Sequence, residues 1–232
     1  MTKTTHPSTD TQNPKDLRKG VYETISQIVS AFASPARLKI VQILAQAECS
    51  VEELSIETGE SVANVSQHLQ RLARMKIVSC ERRKLSRIYR VTNPMVLQLW
   101  EGFQNLAHEV DEELNHKEDL LTDSTLLADE TPGEVFDLVA EGKALLVDAR
   151  TAKESAMTKV PGALAIPAEI LVKSTHPKTL GLLKTKPVYV YCRGRYCSYA
   201  TEAVRHLRAH GYKAYRLRDS PFQLQLIQGD KI

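Results

Sequence analysis

The chain has no run of about 18 uncharged apolar residues, the least that a membrane-crossing helix needs. Its opening residues, "MTKTTHPSTDTQNPK", carry no apolar core of the secretory kind. These two absences predict a cytoplasmic protein with no membrane partner. Cysteine is scarce, with Cys49, Cys80, Cys192 and Cys197 the only four in 232 residues. That excludes a disulfide framework, so any thiol chemistry is expected to be catalytic or redox-active. Net charge is only +3, which selects no class of partner, and the distribution of charge carries more. No internal repeat is present, and the length favours two compact units, so the halves are expected to be different domains.

Residues 1–16 are rich in Thr, Ser and Pro without periodicity and read as a disordered tail. From Tyr22 onward Ile25, Ile28, Val29 and Phe32 repeat at helical spacing. Ser34 and Pro35 then open "SPARLKIVQILAQA" as N-cap and first helical residue. Ser50 and Glu53 form a capping box, and Gly59 closes that short helix. Ser61 opens the next, in which Val62, Val65, Leu69 and Leu72 recur three and four apart. Two short helices joined by a tight glycine turn predict a helix-turn-helix. The following "IVSCERRKLSRIYRVT" is β-branched and partly alternating, and reads as a hairpin turning at Lys84 to Ser86. A further helix begins at "NPMVLQLW", and the acidic stretch from Glu112 to about Glu130 looks like a linker or a frayed helix end. Beyond it, the apolar runs "ALLVDAR" and "PVYVYC" and the strand-like "YKAYRLRD" alternate with helical segments, which predicts an α/β unit with a buried parallel sheet.

Between Ser61 and Asn93 the basic residues are Arg71, Arg74, Lys76, Arg82, Arg83, Lys84, Arg87 and Arg90, against one acid, Glu81. Such a stripe suits phosphate contact. On the second helix Asn64, Gln67, His68, Gln70 and Arg71 bring amides and a guanidinium of the kind that read adenine and guanine edges. The "VSQHLQRL" core and the "RR-turn-R-x-Y" hairpin make residues 21–114 resemble the ArsR/SmtB family of winged helix-turn-helix regulators. That resemblance implies a homodimer on double-stranded operator DNA, with the recognition helix in the major groove and the hairpin as a wing. It implies DNA contacts from Ser61, Ala63, Asn64, Ser66, Gln67, His68, Gln70 and Arg71, and from Arg82, Arg83, Lys84 and Arg87 on the wing. It also places Trp100, Phe103 and Val110 at the dimer seam. The family's metal-binding patterns are not matched: "AECSVEEL" stands where arsenic and cadmium sensors carry "ELCVCDL", and His108 has Leu106 two residues before it instead of an aspartate. His108, Glu109, Glu112 and His116 share a helix face, but no metal or other cofactor is expected.

In the second half, "VYVYCRGRYCSYATEAVRHL" ends an apolar strand in Cys192 and begins a helix within a few residues. Loop N–H groups and the positive end of the helix dipole favour thiolate over thiol there, and Arg193 and Arg195 add like charge. Cys192 is thus expected to be a nucleophile of low pKa. Phosphatase-like chemistry requires arginine at the sixth residue after the cysteine, and that residue is Ser198. "LLVDAR", "VPGALAIP", "YVYCRGRYC" and "ATEAVRHLRAHGYKAYRL" together resemble a single-domain rhodanese. The resemblance implies that Cys192 takes sulfane sulfur from thiosulfate or a polysulfide as a persulfide, cradled by Arg193, Gly194, Arg195, Tyr196 and Cys197. It implies too that Asp148 and Arg150 help hold the loop. The chain departs from the family in reading "TKVPGA" for "GHIPGA" and "RDSPFQLQLIQG" for a glycine-rich turn and tryptophan. Cys197 reads equally as a resolving thiol or as packing at the helix start.

The expected organisation is a tail (1–16), a winged helix-turn-helix domain, mainly α with a β-hairpin wing (17–114), a linker (115–130) and a rhodanese-like α/β domain (131–232). The main functional expectation is a DNA-binding regulator, a repressor, whose second domain senses reactive sulfur or redox state through Cys192. Two alternatives stand beside it: a sulfurtransferase with a dimerising DNA-binding half, and a metal-responsive repressor.

Overall fold

The computed structural model describes residues 13–229. They form two compact units, the first comprising Cys49–Thr92 and the chain up to Gln42, the second Ile43–Glu48 and the chain from Asn93 onward. Of the expected tail, residues 1–12 lie outside the described residues, while residues 14–16 already belong to helix α1 (Pro14–Phe32). That helix starts earlier than its apolar spacing suggested because Asn13 caps it, accepting from the Lys15 N–H at 3.0 Å, and proline occupies its first position.

In the first unit α2 (Pro35–Leu44), whose last two residues fall in the second, β1 (Cys49–Ser50), α3 (Val51–Thr58), α4 (Val62–Arg74), β2 (Val78–Arg83) and β3 (Ser86–Val91) follow. The Ser50–Glu53 capping box forms as expected, and Gly59 ends α3 in the left-handed region at φ 74°. Ser61 caps α4 by accepting from the Asn64 N–H at 3.2 Å. β2 and β3 pair antiparallel with Arg83 opposite Ser86, and Lys84 takes φ 56° in the two-residue turn between them. The two-residue β1, too short to leave a sequence pattern, adds to the other edge of β3. Ile40, Leu54, Val65, Leu69, Leu72 and Tyr89 fill the core. The opposite situation holds on α1, where Leu17, Val21, Ile25 and Val29 remain exposed at four-residue spacing.

The second unit contains α5 (Pro94–Val110) and α6 (Glu112–Thr122), then α7 (Pro132–Ala140), β4 (Leu145–Asp148), α8 (Ala152–Met157), β5 (Ala163–Ala165), α9 (Ala168–Lys173), β6 (Val188–Tyr191), α10 (Tyr199–Ala209), β7 (Ala214–Arg216) and α11 (Pro221–Gly229). Helix α5, expected to finish the first domain, clusters here. The expected linker is ordered as well: Asp111 caps α6, and Glu118, Thr122 and Leu126 are buried. The sheet is parallel throughout, in the order β5-β4-β6-β7. Alternation along β6 sends Val188 and Val190 into one core with Ala203, Val204 and Leu207 of α10. It sends Tyr189 and Tyr191 into another with Val135, Phe136 and Leu224 of α7 and α11. No helix among the described residues is long and apolar enough to cross a membrane.

Leu207, fully buried against β6, measures how much the second unit depends on this packing. Leu207→Ala is expected to cost about 2–5 kcal/mol in denaturant unfolding. The same change at half-exposed Leu226 is expected to cost less than about 0.5 kcal/mol.

Candidate functional site

On α4 the wholly buried Val65, Leu69 and Leu72 fix the rotation of the helix. Ser61, Ala63, Asn64, Gln67, Gln70 and Arg71 consequently face outward, whereas Ser66 and His68 are half-buried. Two of the outward groups have local partners: Asn64 Nδ2 donates to Glu60 at 3.2 Å and Arg71 Nη2 to Ser30 Oγ at 3.2 Å. Arg82, Arg83, Lys84 and Arg87 are exposed along the hairpin, and Leu85 stands clear of the fold at its tip. Arg83 pairs with Glu81 at 3.0 Å, which holds that carboxyl below the ordinary range. The first unit thus presents amides and cations on one helix and one hairpin, the groups that contact base edges and phosphates.

The two thiols of the second unit lie together at the C-terminal end of β6, before the N-terminus of α10. Cys192 Sγ is 3.4 Å from the carbonyl oxygen of Cys197 and within hydrogen-bonding reach of its sulfur. Burial pushes the Cys192 thiol well up, so the expectation of a low pKa at that residue is corrected. Cys197 is the thiol drawn down, to about 7, first by the hydrogen bond from Cys192 and then by the backbone N–H groups of Arg193 and Tyr199 and the charge of Arg193. The loop and helix-terminus N–H groups thus serve both thiols, Ala200 on Cys192 and Arg193 and Tyr199 on Cys197, and at Cys192 burial outweighs them. Neither sulfur is open: Cys192 is 0% exposed and Cys197 8%. Gly194 makes this closure feasible, since it holds φ 110° and any Cβ there would sit 3.2 Å from Ser220 Cβ.

Arg193 and Arg195 are committed elsewhere than to the sulfurs. Arg193 Nε donates to Glu154 at 2.7 Å, and its guanidinium lies over the Tyr199 ring at 5.2 Å. Arg195 reaches Glu118 at 3.2 Å and Asn105 at 3.4 Å. Buried Glu118 also receives Arg218 at 3.7 Å and faces His108 at 3.4 Å. Tyr196 is half-buried beside them. Asp148 and Arg150, which the family resemblance expects to help hold the loop, form a buried pair, with Arg150 Nη2 and Nε on the Asp148 carboxylate at 2.7 and 3.0 Å. Arg150 also donates to the carbonyl of Thr158 at 2.6 Å and lies 5.9 Å from the Tyr191 ring, bracing the ends of β4 and α8, and it reaches the cysteine loop through Gln46, which accepts from Arg150 Nη1 at 3.4 Å and donates to the Arg193 carbonyl at 3.4 Å. The carbonyls of Gly194, Arg195 and Cys197 are held by Arg216 Nη2 at 3.3, 3.0 and 3.3 Å. Arg216 escaped the sequence reading; the available signal was an arginine inside a segment otherwise read as a buried strand. Among the described residues no three His, Cys, Asp or Glu side chains converge as a metal site would require.

Comparison with known proteins bears on both units. Residues 34–79 match the model of the bacterial regulatory protein arsR family, and residues 131–220 match the rhodanese-like domain. The HTH-type transcriptional regulator Rv0324 of Mycobacterium tuberculosis is 29% identical over 219 residues, covering 91% of this chain and 91% of its own. The uncharacterized HTH-type transcriptional regulator Rv0081 of the same species is 31% identical over 80 residues, which is 34% of this chain and 70% of that one. Among solved structures, a fragment of a possible transcriptional regulatory protein from Mycobacterium bovis is 28% identical, covers 39% of this chain and 97% of that one, and has a TM-score of 0.37. The chain belongs to the arsR family of bacterial regulatory proteins and carries a rhodanese-like domain beyond its winged helix-turn-helix.

Proposed function

We propose that this transcriptional regulator is a homodimeric repressor that takes up sulfane sulfur on the Cys192–Cys197 loop and changes its operator affinity in response. The observation that carries the reading is the placing of two cysteines together at the end of the central strand, with Cys192 Sγ 3.4 Å from the Cys197 carbonyl oxygen and the Cys197 thiol drawn to a pKa of about 7, in a chain that also carries a helix-turn-helix. One loop thiol, as its thiolate, attacks the sulfane sulfur of a polysulfide or thiosulfate. A cysteine–sulfur bond forms, the donor's S–S bond breaks, and the shortened polysulfide or sulfite leaves with the electron pair. The other thiol then attacks the cysteine-bound sulfur of that persulfide. A disulfide closes, hydrosulfide departs, and the proton of the second thiol leaves with it as hydrogen sulfide. The sulfane donor is the oxidant throughout.

Two features support a route from the loop to the DNA. Arg195 of the loop bonds Asn105 on α5 and Glu118 on α6, and Ser220 donates to Glu101 on α5 at 2.7 Å. A loop that changes its bonding thus bears directly on α5, the helix that the family resemblance places at the dimer seam. The exposed apolar stripe of α1 supplies further surface for a second copy.

Operator binding before and after polysulfide treatment tests the reading, with the state of both cysteines followed by mass spectrometry. Affinity is expected to change by about tenfold, a coupling of about 1.4 kcal/mol, and to stay fixed in Cys192→Ser and Cys197→Ser. Equal affinity with both thiols modified would remove sensing and leave a sulfurtransferase. Gln67→Ala is expected to lose about 1–3 kcal/mol of discrimination at one base pair. By contrast, Arg87→Ala should weaken all sequences alike and lower the salt slope of binding by about one. Ile25→Glu is expected to shift the chain to a monomer in sedimentation; a dimer that survives it does not use the α1 stripe.

A further inference from the structure

Arg216 ends β7, and its backbone is fixed from both sides. The Leu217 N–H bonds the carbonyl of Val190 on β6, and the Ala128 N–H bonds its own carbonyl. Its side chain is completely buried, among the largest in the protein to be so. An arginine stays charged in a protein interior, and a buried charge is tolerated where counter-charge and hydrogen bonds surround it. One nitrogen, Nη2, meets that requirement on the three loop carbonyls. The other two, Nε and Nη1, are buried and have no hydrogen-bond partner among the described residues.

The groups that act on this guanidinium are few. Burial acts most strongly and pulls its pKa below the ordinary arginine value; against that, Cys192 and Cys197 favour its charge, Arg218 opposes it, and Glu118 favours it least. Glu118 is already shared between Arg195 and Arg218. Arg193, the other cation acting on Cys197, is engaged with Glu154. The counter-charge left for the buried guanidinium is therefore a loop sulfur in its anionic form.

We infer that Arg216 is a positioning residue of the two-thiol loop, gripping its carbonyls from beneath while supplying the buried positive charge against which a thiolate or persulfide anion is held. The inference deepens the sulfur-uptake reading and rests on it for its biological meaning. The geometry also explains why a loop whose own arginines turn away to carboxylates still suits an anion.

The test is the pH profile of alkylation of Cys192 and Cys197 by iodoacetamide, followed by peptide mass spectrometry on the full chain, without sulfur donor or DNA. In the wild type the more acidic of the two thiols is expected to titrate with a midpoint of about 7. In Arg216→Gln, and in the volume-matched Arg216→Met, the midpoint should rise by about one unit or more, so that alkylation below the wild-type midpoint falls by about tenfold. Arg216→Lys, which restores charge without the planar fork, should return the midpoint toward the wild type. A purely structural role would loosen the loop and speed alkylation at every pH without moving the midpoint. A wild-type midpoint at the ordinary thiol value overturns the inference, whether or not the variants fold. So does a folded glutamine or methionine variant with an unmoved midpoint. Failure of the sulfur-uptake reading shows separately, as a wild type that keeps its low midpoint yet gains no persulfide or disulfide from polysulfide.

Discussion

Strand β6 runs between β4 and β7 with Val188 and Val190 packed toward α10 and Tyr189 and Tyr191 toward α7 and α11, so neither of its faces meets water. Burial on both faces fixes the strand's position, its register and the direction in which the chain leaves it. Cys192 is the next residue in the alternation and inherits the α10 side. The loop between β6 and α10 is short, and its carbonyls must find donors inside the fold. Arg216, from the neighbouring strand, meets that requirement for three of them. The chemistry of the loop thus depends on a strand pairing that contains no reactive group.

The same logic extends outward through Glu118. A carboxylate with almost no exposure is tenable because Arg195 and Arg218 converge on it, and removing both would leave an uncompensated buried charge. Arg195 lies in the loop and Glu118 on α6, so the acidic segment after α5 acts as part of the loop's support. Thr201 of α10 adds a bond to the carbonyl of Thr122 at the end of that helix. The two helices α5 and α6 are held to the sheet by polar side chains as well as by packing.

Much of this architecture was legible in the sequence because its signals are local. Ser50 with Glu53, Ser61, and the runs around Leu146 and Val190 each announce an element within a few residues. What was misread depended on partners far away in the chain. Arg193 and Arg195 look like cations beside a cysteine until Glu154 and Glu118, which lie 39 and 77 residues away, are brought to them by the fold. Arg216 and Arg218 occupy alternate positions of one segment, and only the packing decides that the first is sealed under the loop while the second is half-exposed. The acidity of the two loop thiols is likewise set by burial and by the N–H groups that reach each of them. Spacing alone contains neither.

Gly194 brings the cysteine loop against Ser220 with no room for a side chain, and the loop consequently covers both sulfurs. On the sulfur-uptake reading, sulfurs covered in this way would be open to small donors sooner than to bulky disulfides, and their modification would keep pace with local opening of the loop. One glycine packed against one serine would then bear on both which reagents react and how fast.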